Sequence, residues 1–378
     1  MLSLHRTIRD IGVEEWNHLS GENAFATHGW LLTVETQCRA RIQPLYFSLS
    51  QDGVLVAASV CYVIDPTDEM ETLDHMLLGR LRGAACCVGL GFLPAVVCGP
   101  LMGYGWHVGV RPELNAADAL KARQQLLDAI ETEARTLRLQ VAFVHILNDE
   151  AELKNLLQER GYLRCRNAPL AVLDLTWSSF DDYLAGFTSK RRGEFRRQIS
   201  RNQEAGNLVD FHHPSCSDES RLHQLLDVTA KKHNPYPFPF GPAFLSELKR
   251  NLGPQAWIVT ARKADQTTGV CIAIVHNKMV FPFTVGVDYD VAGDDYTYFQ
   301  LVYNSMIGRA IDAGMRGIYY GRGMYSVKLR RGCRLTNTWI YSRESGPRRF
   351  ASAPWFGVAS MWNRYKLPSA ARQLLKDA

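Results

Sequence analysis

Apolar positions in the first half of the chain fall into short runs that switch between two periods. Pro44–Leu49 and Val54–Ile64 are strand-length apolar runs parted by Gln51-Asp-Gly53, the composition of a hairpin turn. From 119 to 137, Leu120, Leu126, Leu127 and Ile130 recur at helical spacing with charges between them. Val141–Ile146 predicts a short buried strand, and 152–160 a helix stopped by Gly161. Ala171–Leu175 predicts a further strand. The second half follows a similar order. Helices are expected near 219–232 and 243–251, then strands at Ala256–Ala261, Gly269–His276 and Met279–Val287. A helix follows with Phe299, Val302, Tyr303, Met306 and Ala310 on one face, closed by Gly314, and strands at Gly317–Tyr320 and Thr336–Tyr341 end the series. The residues themselves do not repeat; the order of elements does.

That doubled order and a length of 378 residues suit two domains of α/β class with mixed sheets. The expected division is 1–176, then 177–346, then a partly helical tail from 347 to 378. The tail carries Trp355, Trp362, Arg364 and Lys366, which either pack back on the fold or extend a basic surface. Residues 83 to 106 carry no charge, but Pro94, Pro100 and five glycines interrupt them, so buried strands and turns are expected rather than a membrane span. The first ten residues lack the apolar stretch of a secretory signal. Nine cysteines, an odd number without any C-x-x-C, point to free thiols and a cytoplasmic location. No metal site is expected. His212 and His213 are adjacent in a strand-like run and face opposite sides.

Charge changes this ordinary picture at one place. Lys+Arg exceed Asp+Glu by 43 to 38, a net +5. The run from Lys190 to Arg201 alone holds Lys190, Arg191, Arg192, Arg196, Arg197 and Arg201 against Glu194, also +5. Upstream, Ser178 and Ser179 precede Asp181 and Asp182 like a capping box, and Phe180, Tyr183, Leu184 and Phe187 follow at helical spacing. On a helix, Lys190, Arg197 and Arg201 share a face, with Phe195 and Ile199 nearly opposite. Gly193 costs about 1 kcal/mol in a helix interior, so a break is expected there. Two readings stand: a solvated helix with Glu194 paired to Lys190 and Arg197, or a ridge for an anionic partner.

Ser179 to Arg192, with Phe195-Arg-Arg and Ala205-Gly206 after it, resembles a signature of the Fem-like branch of the GNAT acyltransferase superfamily. Glu22 to Trp30 looks like that branch's opening motif, and Tyr298–Ala313 with Gly321–Gly332 looks like its closing helix and loop. The resemblance implies tandem GNAT domains and transfer of an acyl or aminoacyl group to an amine. The attack is direct, without a bound cofactor or metal. Acyl-CoA or aminoacyl-tRNA is the implied co-substrate, a small-molecule or peptide-like amine the acceptor, and tRNA a candidate partner. Lys328 matches the lysine of the closing loop, although this chain reads Tyr325-Ser-Val-Lys328 where many relatives have an acid and a histidine. Lys328, Tyr320 and Asp288 are the catalytic candidates. Lys190, Arg191, Arg192, Arg196, Arg197, Arg201, Arg322 and Arg331 are the candidates for donor phosphate, with Arg330 and Arg334 nearby in sequence.

GNAT folds usually seat a pyrophosphate on a glycine-rich helix start. The equivalent stretch here, Asp288 to Tyr296, has one glycine, Gly293, and four acids, Asp288, Asp290, Asp294 and Asp295. Asp294 or Asp295 would cap the next helix, and Asp288 or Asp290 would suit an ammonium. Tyr289, Tyr325 and His233 are further pocket candidates. No G-x-S-x-G, P-loop, dinucleotide fingerprint or H-E-x-x-H occurs, so serine hydrolysis and nucleotide hydrolysis have no support. The alternative to an enzyme is a non-catalytic nucleic-acid-binding protein on the same scaffold.

Overall fold

In the computed structural model the strands, in chain order, are β1 (Leu2–His5), β2 (Ile42–Gln51), β3 (Val54–Ile64), β4 (Ala95–Cys98), β5 (Gly109–Val110), β6 (Gln140–Leu147), β7 (Leu163–Asp174), β8 (Asn207–Phe211), β9 (Ala256–Lys263), β10 (Gln266–His276), β11 (Met279–Val287), β12 (Gly317–Gly321) and β13 (Arg334–Arg343). The structure describes residues 1–87, 89–211, 216–343, 348–365 and 367–375. His212, His213 and Lys366 lie outside the described residues, as does the expected boundary at 346/347. The chain divides into two units. One holds 1–170, 322–327 and 335–378, and the other 171–321 and 328–334.

In the first unit β1, β2, β3 and β4 pair antiparallel in that order, β4 pairs parallel with β6, and β6 pairs antiparallel with β13. The β2–β3 turn forms as expected, with Asp52 and Gly53 both at positive φ (51° and 80°). The helix Ala116–Leu137 begins at Asn115, whose side chain accepts from the Asp118 N–H. Its Leu126, Leu127, Ile130 and Ala134 pack on Leu45, Phe47, Val56, Val96 and Phe143 of the sheet. Leu120, placed on that apolar face by spacing, is instead exposed. The uncharged stretch from 83 is only partly core. Residues 82–87 form a helix with exposed Cys86 and Cys87, and burial begins at Phe92. Small side chains there leave no apolar face to bury.

In the second unit the order is β7, β12, β11, β10, β9, β8. The β11–β12 pair is parallel and the others antiparallel. The parallel contact spans only Met279–Gly317 and Val280–Ile318, so β11 is unpaired by β12 beyond Val280. Gly286 lets the helix Cys216–His233 approach β11, since a Cβ there would sit 2.6 Å from the Leu225 carbonyl carbon. Both units thus repeat one plan: antiparallel strands, a parallel pair, then a closing antiparallel strand.

The closing strands correct the expected division. Residues 335–343 belong with the first unit because the ladder from Thr338–Leu147 to Arg343–Val141 joins β13 to β6. The strand seen from sequence at 171–175 extends back to Leu163, and its last residues close the second unit through Gly317–Asp174 and Ile318–Leu173. The tail helix Arg348–Tyr365 packs within the first unit. Trp355 Nε1 donates to the Leu77 carbonyl at 3.2 Å, and Phe356 meets Phe92 at 5.8 Å. Among the described residues no helix is long and apolar enough to cross a membrane, and no group of three or more His, Cys, Asp or Glu is arranged to hold a metal.

Candidate functional site

Two short helices replace the single amphipathic one. Phe180–Ala185 is capped by Ser179, whose hydroxyl accepts from the Asp182 N–H at 3.1 Å, and ends at Gly186. Thr188 then caps Ser189–Glu204, which runs unbroken through Gly193. The expected break therefore falls at 186–188, where the first helix ends and Thr188 caps the second. The inward side of the basic helix is Phe195, Gln198 and Asn202, all buried, while Ile199 is half-buried. Lys190, Arg196, Arg197 and Arg201 are exposed, and none forms an ion pair with a described residue. Glu194 turns to Arg330 at 3.6 Å rather than to Lys190 or Arg197. Arg192 donates to the Phe187 carbonyl at 3.0 Å, and Arg191 lies 5.7 Å from the Phe187 ring centre.

The last of these cations opens onto a cleft of about 420 Å³, lined by Arg201, Tyr289, Asp294, Tyr296, Thr297 and Tyr298 among others. This is the 288–296 loop with the start of the next helix. Two of the loop's four acids, Asp288 and Asp295, are committed. Asp295 Oδ1 accepts from the Thr297 N–H at 2.9 Å and its hydroxyl at 2.6 Å, and Asp295 Oδ2 accepts from Asn207 Nδ2 at 2.7 Å. Asn202 Nδ2 donates to the Asp295 carbonyl at 3.0 Å, tying the basic helix to this loop. Asp288 caps its own turn and pairs with Arg221 at 2.5 Å. Burial raises the Asp288 pKa, but the Arg221 bond and two backbone N–H groups outweigh it and hold the carboxyl below its ordinary value. At the cleft wall His233 Nε2 lies 3.1 Å from the Tyr289 hydroxyl, and Lys232 Nζ is 3.9 Å from the Tyr289 ring centre. Burial raises the Tyr289 pKa. Arg201 lies 5.8 Å from the Tyr296 ring centre.

The family pattern for FemAB-like proteins, described as peptidoglycan biosynthesis/recognition, matches residues 7–349. The chain belongs to the FemAB-like family. Among solved structures, FemX superposes with a TM-score of 0.56 at 9% identity, covering 90% of this chain and 96% of its own. The structure of L-PGS from Bacillus licheniformis gives 0.56 at 13% identity, covering 93% and 97%. The C-terminal domain of a putative lysylphosphatidylglycerol synthetase from Agrobacterium fabrum gives 0.55 at 14%, covering 90% and 94%. At these identities the likeness is one of fold. No curated protein matches the chain by sequence.

In this FemAB-like chain the closing-loop candidates are not on the cleft. Lys328 is buried, its Nζ donating to the carbonyls of Tyr320 at 2.6 Å and Gly321 at 3.2 Å, so it staples the end of β12. Tyr320 is buried with its hydroxyl unpartnered, and burial raises its pKa strongly. Arg331 is 3% exposed, bonded to Gln198 at 3.0 Å and enclosed by Tyr303 at 4.2 Å, Phe195 at 5.0 Å and Phe299 at 5.2 Å. Burial lowers its pKa, with nearby phenols opposing. Arg334 is taken by Asp174 at 2.7 Å.

Arg322 belongs to the first unit, paired with Glu71. There it stands in a polar cluster that sequence reasoning did not find. His145 has a positive φ of 60° at a bulge in β6, and its Nδ1 lies 2.9 Å from Asn167 Nδ2. Tyr104 meets the His145 ring at 5.2 Å. Burial first, then Arg322 and His107, hold the His145 pKa well below the ordinary histidine value. His145 lies inside an otherwise apolar strand run, so only its polarity among apolar neighbours marked it.

Proposed function

We propose that the chain is an aminoacyltransferase that forms an amide by attack of an acceptor amine on an aminoacyl-tRNA ester. One observation carries this reading: exposed cations without an ion pair among the described residues run along the basic helix, and the last of them, Arg201, lines a cleft at whose helix start Asp295 already accepts from the Thr297 N–H. A pyrophosphate seated as in acyl-CoA binding would compete with that carboxylate. A polynucleotide can instead run along Lys190, Arg197 and Arg201 with its acylated end in the cleft. The amine nitrogen bonds to the ester carbonyl carbon, and the bond to the tRNA hydroxyl oxygen then breaks. The proton lost by the amine goes to the Tyr289–His233 pair and returns to the departing hydroxyl oxygen. A peptide-like acceptor suits the aromatic lining of Tyr289, Tyr296 and Tyr298.

The test is donor consumption. Protein is mixed with labelled aminoacyl-tRNA, or separately with acyl-CoA, and a panel of amine-bearing peptides. Amine-dependent loss of label from the tRNA, abolished by ribonuclease and weakened by salt, is the expected result. Consumption of acyl-CoA alone would sink it. The four exposed cations also support a second reading, a nucleic-acid-binding protein without transfer. That reading requires RNA retention with neither donor consumed.

A further inference from the structure

The tail helix of the first unit carries two apolar stripes, and only one of them is buried. Phe356 and Ala359 face inward, 2% and 4% exposed, with Ser360 accepting from the Arg166 N–H at 3.1 Å and Asn363 donating to the Arg166 carbonyl at 3.0 Å. Val358, Met361 and Trp362, at i, i+3 and i+4, face outward at 46%, 67% and 57%. The helix rests on the Leu73–Leu78 helix through Trp355 and on Phe92 through Phe356. The segment between those two contacts, from 79 to 91, exposes Leu81 and Leu90, each at 56%. Isolated exposed apolar residues are ordinary, but two adjoining segments with five large ones are not.

Charge says what covers this face. No Asp or Glu occurs from residue 75 to 112 or from 345 to 376. The first stretch holds Arg80, Arg82 and Arg111, and the second holds Arg348, Arg349, Arg364, Lys366, Arg372 and Lys376. Arg82 is paired with Asp68 at 2.5 Å, and Arg80 and Arg364 are exposed. Apolar and tryptophan side chains with exposed Arg80 and Arg364 in the same segments, and with Asp68 neutralised by Arg82, on a helix not built to span a bilayer, are the composition of an interfacial element. We propose that this face docks on an anionic lipid bilayer, its apolar stripe at the headgroup boundary and its cations among the lipid phosphates. The inference stands independently of the transfer reaction.

Sedimentation of the full chain with phosphatidylcholine vesicles, with and without phosphatidylglycerol, tests it. Binding is expected only with phosphatidylglycerol and is expected to weaken with salt. Val358→Asp with Met361→Asp, and separately Leu81→Asp with Leu90→Asp, are each expected to lower the partition coefficient roughly tenfold. All four positions are exposed, and an unchanged melting temperature checks that the fold survives. The Lys190/Arg197/Arg201→Ala variant is expected to bind vesicles as the parent does. Absence of binding to phosphatidylglycerol vesicles overturns the proposal, as does loss of binding in the triple variant but in neither Asp pair. A solution dimer that Val358→Asp with Met361→Asp makes monomeric also overturns it, because the face then belongs to a second copy.

Discussion

The two units follow the same strand plan yet treat an arginine withdrawn from water, half-buried Arg322 and buried Arg331, in opposite ways. In the first, Arg322 meets the Glu71 carboxylate, which raises its pKa against the pull of burial. In the second, Arg331 forms no ion pair with a described residue, and Glu194 acts on it only at a distance. Aromatic faces and one amide enclose it, and its pKa falls. The contrast shows two solutions to one desolvation problem: a counter-ion in one unit, quadrupoles and a neutral acceptor in the other. It also separates cations that hold the fold from cations available to a ligand. Lys328, Arg330, Arg331 and Arg334 are engaged within the second unit, while Lys190, Arg196 and Arg197 are exposed without an ion pair to a described residue and Arg201 meets only the Tyr296 ring at the cleft.

The largest expected effect tests that separation. The Lys190/Arg197/Arg201→Ala variant should make the log–log salt dependence of RNA binding shallower by about 2, from three lost single-strand phosphate contacts. Filter retention across a salt series measures it, and an unchanged slope would place the RNA elsewhere. Next, Glu71→Gln should cost about 2 kcal/mol, because Arg322 keeps its charge without its partner in a mostly buried place. Arg331→Met should change stability by no more than ~1 kcal/mol. Relief of the buried charge there offsets the amide of Gln198 left unpaired. Urea melts of both variants decide whether the arginines differ as argued. If Arg331→Met proves as costly as Glu71→Gln, the aromatic cage is worth an ion pair.

Asp295→Ala should cost about 2 kcal/mol in the second unit, since it removes the cap on Thr297 and leaves Asn207 short of an acceptor. Thermal unfolding measures this. The smallest effect is a pH slope in the first unit. The folded-state pKa of His145 is depressed, so only the unfolded chain takes up this proton as pH falls below about 6.5. Stability from this group is therefore complete above about pH 6.5 and is lost toward acid, by up to ~1.4 kcal/mol per pH unit. His28 and His75 shift in the same direction, so His145→Asn should flatten the slope by one proton without abolishing it. Denaturant melts from pH 7 to 5 show whether it does.

Much of the architecture was legible along the chain. The β2–β3 hairpin, the helix whose Leu126, Leu127 and Ile130 are buried, and the existence of strands β11 and β12 all follow from local period and turn chemistry. The basic helix and its exposed face were legible too, because charge clustering is a local property. The engagement of Lys328 and Arg331 was not. Their sequence neighbours resemble a cationic loop, and only the return of the chain past Tyr320 and the aromatic side chains of Phe195, Phe299 and Tyr303 buries them. His145 and Glu71 were missed for the same reason, since their partners Asn167 and Arg322 are distant along the chain.

Sequence alone therefore determined the doubled plan of strands and helices, the site of concentrated positive charge and the acids of the 288–296 loop. Those depend on neighbours within a few residues, which set period, capping and local charge. Tertiary structure alone decided that β13 pairs with β6 while the end of β7 pairs with β12, and that Lys328 and Arg331 of the closing loop are buried. Strand partners and burial are settled by hydrogen bonds and packing between segments far apart in the chain, and no local pattern carries that information.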